Sequence, residues 1–175
     1  MGRNAVESKR IVISALFTAI IAICSQLSFM TPFGIPITLQ PFIISLCGYV
    51  LGFKWGTASV ACYIASGSVG LPVFSGFRGG AQHLFSATGG YIWGFIIFAF
   101  LCGLSIRFSK KYIELLFGII GLIICHIIGV IQFSFVTSTG VFETFITTSL
   151  PFFIKDLILT VGAVLISPKL KKAIF

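Results

Sequence analysis

Charge is nearly absent from this sequence, and that scarcity constrains the fold more than any other feature. Only 9% of the 175 residues are Asp, Glu, Lys or Arg, while 57% are hydrophobic. A soluble domain carries about a quarter charged residues. A chain with so few cannot cover its own surface in water, so lipid must do the covering. A membrane-spanning helix takes about 20 apolar residues. At that rate the chain holds roughly five to seven spans joined by short loops, with no room for a separate soluble domain. The apolar runs are continuous rather than alternating, which argues against a β-barrel.

Six apolar segments are expected, at about residues 11–29, 39–53, 55–74, 88–106, 112–136 and 151–166. Gly, Pro or charged residues separate them. The expected fold is therefore an all-α membrane protein, a six-helix bundle forming one transmembrane domain over residues 1–175. Arg3, Lys9 and Arg10 precede the first segment as they would in a signal peptide. The apolar run that follows is too long for a signal peptide's h-region and has no clean cleavage site, so it is read as a retained first span.

The net charge of +8 comes from twelve Lys/Arg against four Asp/Glu. In a soluble protein that surplus suggests nucleic acid. The positions suggest otherwise. With six spans and the N-terminus inside, ten basic residues fall on the inner flanks: Arg3, Lys9, Arg10, Lys54, Arg107, Lys110, Lys111, Lys169, Lys171 and Lys172. Only Arg78 and Lys155 fall outside. Basic residues favour the cytoplasmic side of short loops, so both termini are expected in the cytoplasm. The surplus is read as topogenic and lipid-facing, with no nucleic-acid partner.

The region between the third and fourth segments is crowded with Gly67, Gly70, Gly79, Gly80, Gly89 and Gly90, and Pro72 breaks it further. Irregular backbone at membrane depth is tolerated where it is buried in protein or lines a cavity, and such breaks point to a binding site. The bland alternative is an ordinary external loop. Arg78, Gln82 and His83 lie in this stretch. An arginine there can clamp a carboxylate through two parallel hydrogen bonds. The plainer readings are a solvated charge for Arg78 and a loop histidine for His83.

Asp156, beside Lys155 near the outer start of the sixth segment, is the strongest single candidate. Ionisable residues in membrane segments usually face the bundle interior and serve function, against the plainer reading of an interfacial pair. Gln40, His126 and Gln132 are polar groups of a kind that more often join helices than bind ligands. Gln132 is the most ligand-like of them. Ala15-x-x-x-Ala19, Gly48-x-x-x-Gly52 and Gly90-x-x-x-Gly94 would let helices approach closely. The five cysteines, Cys24, Cys47, Cys62, Cys102 and Cys125, lack metal-ligand spacing and read as small buried apolar residues. There is no phosphate-binding loop, HExxH, GxSxG or carboxylate pair, so no catalytic residues and no metal are expected.

Gly70-Leu71-Pro72-Val73-Phe74, then Gly79-Gly80, then Thr88-Gly89-Gly90-Tyr91-x-x-Gly94 resembles the signature of the BioY family. Ile35-Pro36-Ile37-Thr38-Leu39-Gln40-Pro41-Phe42 is similar to that family's stretch after the first span, and Pro151-Phe152-Phe153-x-x-Asp156 to its last-span entry. The resemblance covers nearly the whole chain. It implies a biotin-binding S component of an energy-coupling factor importer in the plasma membrane, with six helices and both termini cytoplasmic. Its implied partners are biotin, a membrane-embedded T component and two ABC-type ATPases. Those ATPases would be the only users of ATP, and no cofactor is implied. Ala15 and Ala19 match the family's docking motif for the T component.

Biotin offers a carboxylate, a ureido ring and an apolar bicycle, so its site needs a cation, a few polar partners and an apolar wall. Arg78 or Lys155 is expected to meet the carboxylate. Asp156 with Gln132 or Gln40 is expected to meet the ureido group, and Phe74, Tyr91 and Trp93 to form the wall. Two motif positions depart from the family. Ser86-Ala87 stand where Gly-Pro is usual, and Leu159 occupies the place of a lysine three residues after the Asp. Positions 155 and 159 share a helix face, so Lys155 is expected to return the charge. The competing readings are an S component for another small vitamin-like molecule, a proton-driven carrier using Asp156 and His126, and a membrane enzyme.

Overall fold

The computed structural model describes residues 3–30 and 36–175. Thr31, Pro32, Phe33, Gly34 and Ile35, expected to close the first segment and open the stretch at 35–42, lie outside the described residues. Helix α1 (Arg3–Gln26) is followed by a small antiparallel pair, β1 (Ser28–Met30) and β2 (Pro36–Thr38). Then come α2 (Gln40–Ser68), a 3-10 turn (Ala81–Phe85), α3 (Gly89–Ser105) and α4 (Lys111–Thr137). A short α5 (Val141–Thr144) runs through a π-helical turn (Phe145–Ser149) into α6 (Leu150–Ile174). Proline stands in the first turn of α2 (Pro41) and of α6 (Pro151), where its missing N–H costs nothing and its fixed φ suits the helix.

Among the described residues five helices are long and apolar enough to cross a membrane: Glu7–Gln26, Gln40–Ser68, Gly89–Phe108, Lys111–Thr137 and Val141–Ile174. The expectation of six segments differs from this at α2, which joins the second and third. Its residue Gly52 has φ +81° and ψ 172°, outside the helical region. The 23 residue-to-residue steps from Gln40 to Tyr63 would span about 34 Å in a straight helix. Instead Gln40 Nε2 donates to Tyr63 Oη at 2.9 Å. A Cβ on Gly56 would sit 2.9 Å from Gly48 Cα. The chain therefore reverses at Gly52, and two short helical arms lie side by side. The third segment was expected to reach 74, but the helix ends at Ser68 and Gly70 follows with φ +103°.

The backbone at Gly52 lies in a region open essentially to glycine alone. Gly52→Ala is expected to destabilise the protein by about 1–3 kcal/mol, read as a lowered thermal midpoint in detergent. An unchanged midpoint would show that the reversal does not depend on that conformation.

Close approach through small residues holds the bundle. A Cβ on Gly48 would meet the Ala99 carbonyl at 2.6 Å, and one on Gly94 would meet Cys125 Cα at 2.7 Å. The Gly48 and Gly90-x-x-x-Gly94 patterns are thus internal packing surfaces. Tyr49, Tyr63, Phe98, Ile21, Ile44 and Leu122 form the fully buried centre. Cys47, Cys102 and Cys125 are buried as expected, whereas Cys62 is exposed and Cys24 half-buried.

Basic residues gather at the end of the bundle that holds the Gly52 reversal. Arg107, just past α3, lies 4.7 Å above the Phe53 ring, and Lys54 sits over Trp55. Lys9 and Arg10 near the start of α1 lie over Phe175 at the far end of α6. Gln40 and Tyr63 mark the opposite end, where the irregular segment 69–88 packs.

Candidate functional site

The opposite end of the bundle encloses a cavity of about 110 Å³. A buried water needs about 10–15 Å³ by the same measure, so the space suits a small molecule rather than a single water. Its floor is apolar, built from Ile92, Phe95 and Phe98 of α3, Leu122 and Cys125 of α4, and Phe152 of α6. Its upper wall is polar and comes from Thr38, Gln40, Tyr63, Tyr91, His126, Thr148, Lys155 and Asp156.

The irregular segment 69–88 closes one side of the cavity. Phe74 and Arg78 form a tight β-bridge, with Gly76 and Phe77 at positive φ in the turn between them. The Phe74 ring fills the space a side chain on Gly67 would occupy, which explains why a glycine stands there. Gln26 at the end of α1 pins the segment: its Nε2 donates to the Phe74 carbonyl at 3.1 Å, and its Oε1 accepts from Phe77 N at 2.8 Å. Phe74, Ser75, Arg78, His83 and Thr88 thereby line the cavity. Among the described residues Arg78 has no ion-pair partner.

Asp156 anchors the polar wall and is only 6% exposed. Lys155 Nζ lies 2.6 Å from its Oδ1 and also donates to the Thr38 carbonyl at 2.9 Å, tying α6 to β2. His126 Nε2 faces Oδ2 at 3.4 Å. Despite its closeness to Lys155, Asp156 Oδ1 receives no well-aligned hydrogen bond. A buried carboxylate oxygen in that condition is suited to accept from a ligand. Gln40 Nε2 donates to Tyr63 Oη, which leaves its carbonyl oxygen for another donor.

Seven residues expected from the sequence come together here: Asp156, Lys155, Gln40, Arg78, His83, Phe74 and Tyr91. Gln132 and Trp93 do not. Gln132 Nε2 donates to the carbonyls of Leu84 and Ser86 at 2.7 and 2.8 Å, and Trp93 Nε1 donates to the Leu84 carbonyl at 3.3 Å. Both brace the turn above α3 from outside the cavity. Tyr63 and Thr148 line the site without having been singled out, and Thr38 and Thr88, quoted within the family motifs, line it without having been expected to meet the ligand. Hydroxyl residues are common in apolar segments, and no spacing distinguished Tyr63 or Thr148. Ala15 and Ala19 lie away from the cavity on an exposed face of α1, among exposed Val12, Leu16 and Ile23.

A half-polar cavity at one end of a bundle of apolar, membrane-length helices defines a multi-pass membrane protein built to hold a small molecule. The chain belongs to the BioY family, whose model matches residues 1–175. It is 40% identical to the biotin transporter BioY of Thermotoga maritima over 166 residues, covering 94% of this chain and 96% of that one. It is 35% identical to the probable biotin transporter BioY of Pyrococcus horikoshii over 165 residues, covering 94% and 98%. The crystal structure of the S component for biotin from an ECF-type ABC transporter superposes with a TM-score of 0.88. That match has 31% identity and covers 98% of this chain and 95% of the other.

Proposed function

We propose that this protein is the biotin-binding S component of an ECF-type importer. The observation that carries the reading is the buried Asp156 carboxylate, whose Oδ1 is paired with Lys155 and keeps acceptor capacity for a ligand donor, in a cavity that also has an apolar floor. Its ligand partner is the ureido ring, whose N–H groups donate to Asp156 while the ring carbonyl accepts from the polar wall. The bicycle packs on Phe95, Phe98 and Phe152, with Phe74 and Tyr91 at the sides. The two cations divide their roles. Lys155 is held by Asp156 and the Thr38 carbonyl and so keeps the carboxylate in place. Arg78 is free of ion pairs among the described residues and takes the ligand's carboxylate. The names and close similarity of the curated relatives support biotin over another vitamin-like ligand.

In this reading the two arms of α2 cross separately, giving six spans in one domain. The basic end, which carries Lys9, Arg10, Lys54 and Arg107, faces the cytoplasm of the plasma membrane with both termini. The cavity then opens outward. Ala15 and Ala19 meet the T component, and two ABC-type ATPases supply the energy, because this chain has no phosphate-binding loop.

Equilibrium binding of biotin and desthiobiotin to the purified protein tests the ligand. Both keep the ureido ring and the carboxylate, so both are expected to bind. Failure of both at micromolar concentration would favour another vitamin-like substrate. Arg78→Ala is expected to weaken biotin by about 10–100-fold, the loss of a charge-assisted hydrogen bond, while leaving biotinamide unaffected. Equal loss for both ligands would remove Arg78 from the carboxylate. Lys155→Ala is expected to weaken both, since it acts through Asp156. Unchanged affinity would show that Lys155 does not replace the lysine missing at Leu159.

A further inference from the structure

We propose that His126 is a positioning residue that orients Asp156, and that Ser149 and Tyr91 fix its ring proton on the nitrogen facing the carboxylate. The inference rests on the biotin reading, which gives Asp156 a ligand N–H to accept. It assigns selectivity for that N–H to a buried chain of groups contributed by three helical elements.

His126 sits in the middle of α4 and is 6% exposed. Its Nδ1 lies 3.0 Å from Ser149 Oγ, and Ser149 Oγ lies 2.9 Å from Tyr91 Oη. Its Nε2 faces Asp156 Oδ2 at 3.4 Å. Tyr91 and Phe153 pack edge-on against the imidazole, with ring centroids 5.8 and 5.5 Å away, so the ring is clamped. Ser149 ends the π-helical turn that leads into α6, a kind of turn frequent at functional sites.

A neutral imidazole has one donor nitrogen and one acceptor, and a carboxylate only accepts. The nitrogen facing Asp156 must therefore carry the proton. Nδ1 is then the acceptor of a hydrogen bond from the Ser149 hydroxyl, and Ser149 Oγ is left free to accept from the Tyr91 hydroxyl, 2.9 Å away. Tyr91 Oη also lies 3.2 Å from the carbonyl and the hydroxyl of Thr148, so the carboxylate facing Nε2 is what sets the direction of the chain. With Oδ2 facing His126 Nε2, Oδ1 is the oxygen presented to a ligand donor. A ligand that presents N–H is accepted, and one whose nitrogen is capped leaves Oδ1 unmet.

The test titrates full-length His126→Phe, His126→Gln and Ser149→Ala with biotin and with biotin methylated on the ureido nitrogens. Thermal midpoints without ligand are measured alongside. Wild type is expected to bind biotin and discriminate against the methylated form. His126→Phe is expected to lose about tenfold in biotin affinity and little for the methylated ligand, so discrimination narrows. His126→Gln carries an amide N–H near the position of Nε2 and is expected to recover most of the loss. Ser149→Ala should weaken biotin alone but add nothing in the His126→Gln background, where Ser149 has no imidazole to orient. The proposal is overturned if His126→Phe binds both ligands as wild type does. It is also overturned if His126→Phe and His126→Gln lose both ligands in equal proportion, the mark of a packing role. A wild type that binds no biotin overturns the biotin reading and this inference together. Wild-type biotin binding combined with either earlier result overturns this inference alone.

Discussion

Asp156→Ala is expected to lower biotin affinity by about two to three orders of magnitude. Two losses combine. The ligand's N–H donors lose their acceptor, and Lys155 and His126, which converge on the carboxylate within 2.6 and 3.4 Å, are left facing an empty site. Removing one partner of a buried ion pair is costly mainly because the other charge stays buried and uncompensated. The unliganded protein should therefore also melt at a lower temperature. Asp156→Asn separates shape from charge. Its side-chain oxygen still accepts from the ligand, so its loss should be smaller, while the hold on Lys155 weakens. Titration calorimetry on the three proteins checks the order wild type, Asn, Ala. Equal affinity for wild type and Asp156→Ala would remove Asp156 from the site.

Ala15→Trp combined with Ala19→Trp is expected to leave biotin binding intact and to abolish uptake. The two alanines are exposed on α1, one turn apart, and neither lines the cavity. Small residues at that spacing let a second helix approach closely in a membrane. Two indoles there would hold it off at a cost of about 1–3 kcal/mol for each misfit side chain. Uptake of labelled biotin by cells that also express a T component and its ATPases should fall at least about tenfold, with the purified variant still saturable by biotin. Normal uptake would place the docking face elsewhere on the bundle.

Much of this architecture is legible in the sequence because lipid imposes strict rules. The long apolar runs at 11–29, 88–106 and 112–136 read directly as α1, α3 and α4, since a span must satisfy its own backbone hydrogen bonds as a helix. The relation of the second and third runs was not legible. Gly52 is one glycine among many in the sequence, and only its backbone angles show that the chain reverses there. Asp156, Lys155 and Arg78 stood out because charge is rare in such a chain. Gln132 stood out as a polar group in an apolar run, yet its amide is used on the Leu84 and Ser86 carbonyls. Sequence shows that a polar group needs a partner without showing which partner it finds. His126 was read as helix glue or a proton-relay candidate. Its link to Asp156 spans thirty positions and two helices, which no local pattern encodes.

Native mass spectrometry of the purified protein, equilibrated with an equimolar mixture of biotin, thiamine and riboflavin, tests the central claim most directly. The expected spectrum shows a single adduct with the mass of biotin, lost in Asp156→Ala. A spectrum in which another component of the mixture occupies the protein, or in which biotin remains bound after Asp156 is removed, would contradict a biotin site built on that carboxylate.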